Sequence, residues 1–270
     1  MKRNILILLL GAVFLLLACS EQQGVARRFV KNNRKTVVAL YLPEKLIKSN
    51  LRNDSVPDEL KDKPLQTQID YLIKQTKVVD KIDDDKFLDI IYLTMNETLK
   101  DYGLTVEYWE NEDSQPDSTH WVIDIPRIEV TEACENQRFC DWIYEKRYCL
   151  DVPVDIVNVA TWFNIANDTT FTMTFTEQFF FNDIDVAFDI DYQKNKVISK
   201  ISCETISIDG FYSFATILGK LYAGYCYDFL MNKYIDNHNV EPIDTINRYR
   251  YDPYERYFYR TDMDYLIEVK

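Results

Sequence analysis

Six cysteines and two histidines are the residues whose types could support metal, redox or nucleophilic chemistry in this chain of 270 residues. Cys134, Cys140 and Cys149 follow one another in a C-x5-C-x8-C spacing. A zinc site typically uses C-x-x-C pairs or clustered histidines, and this spacing with only His120 nearby fits poorly. Three alternatives remain open: a disulfide between Cys134 and Cys140, a disulfide between Cys140 and Cys149, or reduced thiols.

No group of residues matches a known catalytic motif. The chain holds six glycines and contains no G-x-S-x-G, S-x-x-K or glycine-rich phosphate loop. Its 44 acidic residues make some neighbouring pair of carboxylates unavoidable by chance, so such a pair does not indicate a glycosidase. We therefore predict a protein that is not an enzyme, with no catalytic residues, no metal ligands and no cofactor.

The thiol of Cys19 lies in the motif of this chain that is most specific for a chemical modification. After two basic residues comes an apolar run of fourteen residues, 5–18, which suits a signal peptide. The run is shorter than the roughly 20 residues that cross a membrane. It ends in Leu-Leu-Ala-Cys at 16–19, which resembles the lipobox of bacterial lipoproteins. The resemblance implies that 1–18 is a lipoprotein signal peptide, and that Cys19 carries a diacylglyceryl thioether and an amide-linked acyl chain such as palmitate.

The residues after Cys19 indicate where the anchor goes. Ser20 stands where an aspartate would retain a lipoprotein in the inner membrane of Gram-negative bacteria, so the resemblance implies the outer membrane. We expect 19–35 to be a lipidated polar and basic linker, either attracted to anionic headgroups or simply solvated. Its basic residues are Arg27, Arg28, Lys31, Arg34 and Lys35.

The C-terminal segment 241–270 is unusually rich in tyrosine and arginine, the residue types enriched at binding hot spots. One interpretation is a docking arm for another protein of the envelope, and a second is an aromatic platform for sugar rings. A third is a segment that packs back on its own domain, with arginine stacked on tyrosine. The predicted contact residues are Tyr249, Arg250, Tyr251, Tyr254, Arg256, Tyr257, Tyr259 and Arg260.

The elements that would position these residues begin with a buried strand over 36–42, an apolar run rich in β-branched residues. Residues 44–64 suggest short helical stretches at best, and helical spacing of apolar residues follows over 65–79. A clearer helix runs from a cap at Asp84 or Asp85 to Gly103, which suits a C′ glycine. A strand over 104–109 would complete a parallel strand–helix–strand crossover.

The second half of the domain suggests a sheet with one wet face. Apolar residues alternate up to Pro126 and shift phase after it, which predicts a bulge or an edge strand. We predict a loop over 131–149 and antiparallel strands over 150–208. The longest helix, from Gly210 to about residue 236, should lie across the dry face of the sheet.

These elements predict one α+β domain over 36–240: a mostly antiparallel sheet packed on one face by two long helices, with one parallel crossover. The net charge of −13 argues against nucleic acid as a partner. The element order over 36–236 is similar in outline to envelope lipoproteins of the LptE, PqiC or CsgG-like kind. That resemblance implies an auxiliary or plug subunit of an outer-membrane or transport machine.

We therefore expect a non-catalytic outer-membrane lipoprotein that acts as an accessory or scaffold subunit of an envelope assembly, with the tail and one sheet face contacting a protein partner. The alternative is a lipid-anchored module that binds a glycan or another small ligand. Its cleft would use tryptophan side chains, drawn from Trp109, Trp121, Trp142 and Trp162. A third hypothesis is a hydrolase that uses unrecognised carboxylates.

Overall fold

A computed structural model describes residues 22–52, 55–107, 120–238, 248–261 and 265–269. These residues form an α+β fold, as predicted, in which one mixed sheet carries its helices on a single face. In the described ranges, no helix combines the length and the apolar character needed to cross a membrane.

The described residues contain five α-helices. They are α1 (22–32), α2 (Asp58–Lys61), α3 (Leu65–Lys74), α4 (Asp84–Asp101) and α5 (Ile208–His238), with 3₁₀ turns at Asn33–Lys35 and Val79–Lys81. The strands are β1 (Val37–Tyr41), β2 (Ile47–Leu51), β3 (Thr105–Glu107), β4 (His120–Ile143), β5 (Lys146–Ala166), β6 (Phe171–Phe181), β7 (Ile184–Asp191), β8 (Lys196–Cys203), β9 (Arg248–Asp252), β10 (Tyr257–Thr261) and β11 (Ile267–Glu268).

The main sheet has seven strands in the order β11-β6-β5-β4-β1-β3, with β2 also paired to β4. Strand β1 pairs in parallel with β3 and with β4, so the predicted parallel crossover through α4 is confirmed. Strands β4, β5 and β6 are antiparallel. The β4–β5 register shifts between Asp124 and Arg127, which places a bulge at the proline where the phase shift predicted one.

Helix α4 ends where its sequence predicts and begins one residue earlier. The carboxylate of Asp83, rather than Asp84 or Asp85, accepts the backbone N–H of Lys86 at 3.1 Å and caps the first turn. Gly103 follows the helix with a φ of +90°, a conformation that favours glycine. The buried side of α4 packs on α5 through Phe87, which stacks on Phe211 with ring centroids 5.1 Å apart.

Helix α5 packs on the helical face of the sheet, as predicted, and also packs against α4. On the sheet side, the hydroxyls of Tyr222 and Thr161 hydrogen-bond at 2.8 Å, and both residues are fully buried. Against α4, Gly219 allows close approach, because a Cβ there would lie 2.7 Å from the Cβ of Thr94. This contact fixes the spacing of the two long helices.

Two predictions about the middle of the chain are wrong. Residues 47–51, expected to be irregular or helical, form strand β2, which pairs in parallel with β4. Residues 131–149, expected to be a loop, continue strands β4 and β5 as a hairpin. This distal hairpin is exposed on both faces over much of its length, so it lacks the alternation that reveals a half-buried strand.

Described residues outside the predicted domain bounds of 36 and 240 also pack in the hydrophobic core. The expected linker over 19–35 contains helix α1, and Val25, Ala26 and Phe29 of this helix lie in the hydrophobic core. The expected tail over 241–270 contributes Tyr249 and Phe258 to the same core. In both segments the few core residues are flanked in sequence by charged or aromatic residues, so composition alone did not indicate that they are buried.

Candidate functional site

The outer face of the sheet, opposite the helices, carries a row of exposed apolar side chains on β6. Phe171 is 66% exposed, Phe179 52% and Phe181 56%. On the same strand, Thr174 and Thr176 point inwards and are buried. The large side chains of β6 therefore face solvent while the small ones face the core.

This orientation of β6 follows from what already fills the core beside it. Thr174 lies opposite Phe163 of β5, and Phe163 packs edge-on against Tyr222 of α5 at 5.3 Å between ring centroids. Phe163 and Tyr222 occupy the inner layer at this position, so threonine is the side chain that fits between them and β6.

The apolar row continues onto neighbouring strands. Ile267 of β11 is 60% exposed and lies opposite Phe175 in the register. Trp162 of β5 packs on Phe175 with ring centroids 4.8 Å apart, and the Arg127 guanidinium lies over Trp162 at 4.6 Å. We call the set Trp162, Phe171, Met173, Phe175, Phe179, Phe181 and Ile267 the outer apolar face.

The Tyr/Arg segment divides into a packed side and an exposed side. Strands β9 and β10 form a hairpin that lies against α5. The side-chain amide of Asn232 on α5 donates to the carbonyl of Tyr249 and accepts its N–H, each at 2.9 Å. Tyr251 packs on Phe258, and the guanidinium of Arg250 lies 3.3 Å from the centroid of the Tyr265 ring.

Of the eight predicted contact residues in this segment, Tyr249 is thus buried, and Arg250 and Tyr251 are partly buried against their own domain. Arg260 lies over the ring of Tyr249 at 5.9 Å. The others are exposed on one side or at the turn of the hairpin: Tyr254, Arg256, Tyr257 and Tyr259. Packing on the domain, one of the three interpretations of this segment, describes Tyr249, Arg250 and Tyr251. Contact of the exposed residues with a partner stays a prediction.

Within the described residues, Trp121, Trp142 and Trp162 do not gather at one cleft. Trp121 is buried in the core, whereas Trp142 is 67% exposed near the turn of the β4–β5 hairpin. From the register, Trp142 lies about 50 Å along this hairpin from Trp162, at about 3.3 Å per residue. Trp109 lies outside the described residues.

The loop cysteines lie on the distal β4–β5 hairpin. Cys140 and Cys149 are directly opposite each other, and the structure joins them by a disulfide with their Cα atoms 4.1 Å apart. Cys134 is a free, half-buried thiol further back on β4. Of the three alternatives left by the spacing, the structure therefore contains the Cys140–Cys149 pair, which links two neighbouring strands of a hairpin.

A cluster of buried charges joins β2, β4, β5 and the 3₁₀ turn before α4. Glu132 is fully buried, and its carboxylate accepts the backbone N–H groups of Lys77 at 2.8 Å and Val78 at 2.9 Å. Arg52 pairs with both Glu132 and Asp155, and Lys77 also pairs with Asp155.

The electrostatics of this cluster favour charged carboxylates. Burial alone would raise the pKa of Asp155, but hydrogen bonds from Lys77 and Arg52 hold that pKa below its ordinary value. The Glu132 oxygens are occupied by N–H donors, including a longer contact of 3.3 Å from Val79. This arrangement holds the strands and the turn together and leaves no free carboxylate for a substrate.

Asp228 on α5 has a raised pKa, as a general base often does, but the cavity beside it is small. Burial raises the pKa of Asp228 to about 7, although its carboxylate accepts the N–H of Tyr251 at 3.2 Å. A carboxyl group with a pKa near neutrality is a candidate acid or base in catalysis. The cavity that Asp228 lines has a volume of about 40 Å³, which is room for roughly one to three water molecules.

The other predicted features have mixed outcomes. Cys19, the predicted lipidation site, lies outside the described residues. Within the described ranges, no group of three or more His, Cys, Asp or Glu side chains is arranged to hold a metal ion. Sequence reasoning missed the outer apolar face, although its signal, an alternation of aromatic residues with threonine over 170–176, is visible in the chain.

Comparison with known proteins places no family name on this chain. No protein-family model and no curated protein matches it. Among solved structures, it is similar to a minor lipoprotein from Acinetobacter baumannii, at 7% identity, with 75% of this chain and 94% of that chain covered. The TM-score of that match is 0.24, too low for the likeness to carry an argument about this chain.

Proposed function

We propose that this protein is a lipid-anchored, non-catalytic accessory subunit of an assembly in the bacterial envelope, and that its outer apolar face contacts a protein partner. The observation that carries the proposal is the apolar row Phe171, Met173 and Phe175 on the outer side of β6, which Phe179 and Phe181 extend beyond the exposed Glu177. Single exposed apolar residues are normal, whereas a contiguous apolar patch on a sheet face is typical of an interaction site.

The anchor part of the proposal rests on the lipobox-like sequence that ends at Cys19, and Ser20 supports the outer membrane as its destination. The non-catalytic part is supported by how the buried carboxylates are used. Those of Glu132 and Asp155 are occupied by N–H donors and cations, and the cavity at Asp228 is too small for a substrate.

The partner is expected to be a protein with an apolar face of its own. A flat row of aromatic rings buries apolar area without fixing many hydrogen bonds, and aromatic residues are enriched at the centres of protein interfaces. A sugar-binding platform would instead need aromatic rings gathered at a cleft. Trp121 is buried in the core, whereas Trp142 is exposed near the hairpin turn and Trp162 lies far from it along the same hairpin.

The test compares two double variants of the full-length protein purified in mild detergent from native membranes. Replacing Phe171 and Phe179 with serine should reduce the amount of a stoichiometric partner at least tenfold, because truncating aromatic residues of a contact surface can remove most of the binding energy. Both residues are exposed, so we expect little change in the stability of the fold. The readout is quantitative mass spectrometry of the purified complex.

Replacing Tyr254 and Tyr257 with serine is the matched control, since both are exposed tyrosines on the β9–β10 hairpin. This control should retain the partner. Loss of the partner from the control but not from the phenylalanine variant would transfer the contact to the hairpin and contradict the proposed surface. Purification of the unaltered protein as a monomer would contradict the accessory role itself.

A further inference from the structure

A groove with a volume of about 330 Å³ lies between helix α1 and the β9–β10 hairpin. Residues from the two ends of the chain line it: Gln23, Arg27 and Lys31 from α1, and Arg256 and Tyr257 from the hairpin. We call it the basic groove. Its volume equals about eleven water molecules at liquid density, so it has room for a phosphate together with the glycerol group attached to it.

Three cations meet in this groove in a chain whose net charge is −13. Arg27, Lys31 and Arg256 are all exposed, and among the residues that the structure describes no aspartate or glutamate lines the groove. In the part of the chain that the structure describes, none of these three side chains forms an ion pair. Three like charges that converge without an acidic partner favour an anionic ligand.

The geometry of each element brings these cations together. Arg27 and Lys31 are one helical turn apart, which places them on the same side of α1. The loop between β9 and β10 is fixed by the carboxylate of Asp252, which accepts the N–H groups of Tyr254 at 2.8 Å and Glu255 at 3.0 Å. This loop holds Arg256 across the groove from the helix.

Arg256 itself has an unfavourable backbone conformation. Its φ is +54°, in the left-handed region that favours glycine, asparagine or aspartate. Glycine would fit this loop position with less strain, and glycine would remove the cation.

The position of the groove on the chain favours a membrane lipid over a free anion. Gln23 is four residues from Cys19, and an extended chain of that length spans at most about 14 Å. This step rests on the proposed function, because it requires Cys19 to be acylated. The groove then lies near the headgroups of the membrane that holds the anchor. The floor is partly apolar, with Val30 and Phe258, which suits the carbon atoms beside a lipid phosphate.

We propose that the basic groove binds the phosphate of an anionic phospholipid headgroup, with Arg27, Lys31 and Arg256 as its ligands. Helix α1 and the hairpin both pack on Tyr227 of α5. Tyr222, on a different side of the same helix, packs on the sheet. Lipid binding in the groove therefore turns the helical side of the domain to the membrane and leaves the outer apolar face of the sheet directed away from it.

The test uses the full-length protein in detergent micelles, titrated with phosphatidylglycerol or phosphatidylcholine of the same acyl chains. Native mass spectrometry counts the lipid that stays bound. We expect selective retention of phosphatidylglycerol. The substitutions R27Q, K31Q and R256Q should each weaken the binding of this lipid by about fivefold, which is the contribution of one basic residue to affinity near an anionic surface. The matched control is R28Q, the same change one residue further along α1, where the side chain is exposed but outside the groove.

Three results would overturn the proposal. Equal weakening by R28Q would mean diffuse attraction rather than a site. Equal retention of the two lipids would remove the selectivity. Displacement of the lipid by an equal concentration of inorganic phosphate would identify a site for free phosphate.

The intact mass of the same preparation tests the anchor separately. Selective binding by a protein without acyl chains on Cys19 would support the groove and contradict the proposed anchor. An acylated Cys19 without selective binding would contradict the groove alone.

Discussion

Replacing Glu132 with glutamine lowers the free energy of unfolding by about 3–5 kcal/mol, the usual cost of breaking a buried ion pair by removing one partner. The carboxylate accepts N–H groups from Lys77 and Val78 and pairs with Arg52. An amide presents an NH₂ group where one oxygen now accepts, so at least one backbone N–H loses its partner. Arg52 and Lys77 are then left with Asp155 as the remaining carboxylate of the cluster.

The measurement is chemical unfolding followed by circular dichroism, with E129Q as the matched control. Glu129 lies on the same strand, but it faces outwards and pairs with the half-exposed Arg127. Surface ion pairs contribute little, so E129Q should change stability by less than about 1 kcal/mol. A change of the same small size in E132Q would mean that the buried cluster does not hold β2 and the 3₁₀ turn to β4.

The two long helices, α4 and α5, were the most predictable elements, because capping residues or an apolar stripe indicate them in the sequence. Asp83 and Gly103 bracket α4, and the apolar stripe of α5 indicates a helix over nearly its full length. The second half of β5 was equally clear, since alternate residues from Val157 to Ile165 are buried. Local propensity and burial agree in all of these elements.

The outer apolar face shows a limit of alternation as a signal. A period of two indicates which side chains of β6 share a face, but it does not determine which face is covered. That choice depends on Phe163 and Tyr222, which are distant in sequence and fill the core beside Thr174. Reasoning from one strand at a time therefore finds the pattern on β6 without identifying the exposed side.

The basic groove could not be predicted for a related reason. The positive charge of Arg27 and Lys31 was visible in the sequence, and so was that of Arg256. Their convergence depends on Phe29 and Tyr251, which both pack on Tyr227 of α5 from opposite ends of the chain. Contacts between residues in distant segments of the chain leave no local signal in the sequence.

Asp228 should make the protein less stable as the pH rises from about 4 to about 7. Burial raises the pKa of this carboxyl to about 7 in the folded state, above the ordinary value of 3.8 that applies to the unfolded chain. Between these values the folded state holds a proton that the unfolded state has released, so stability falls as the pH increases. Above pH 7 the folded protein carries a partly buried anion at Asp228, and the positive charge of Arg250 stabilises it.

The variant D228N removes this dependence. The amide stays neutral at every pH, and its oxygen can still accept the N–H of Tyr251. The full span of the pKa shift corresponds to at most about 4 kcal/mol, and we expect about 2 kcal/mol because the residue is only partly shielded from solvent. D228N should therefore be more stable than the unaltered protein at pH 8.5, by about that amount, and equally stable at pH 4.

Unfolding free energies at a series of pH values provide the measurement, with D89N on the exposed side of α4 as the control for a lost charge. The control should differ from the unaltered protein by no more than about 0.5 kcal/mol at any pH. If D228N matched the unaltered protein across the whole range, Asp228 would be ionised at little cost in the fold. The small cavity beside it would then contain enough water to solvate the charge, and the packing of the β9–β10 hairpin on α5 would be looser than its hydrogen bonds to Asn232 indicate.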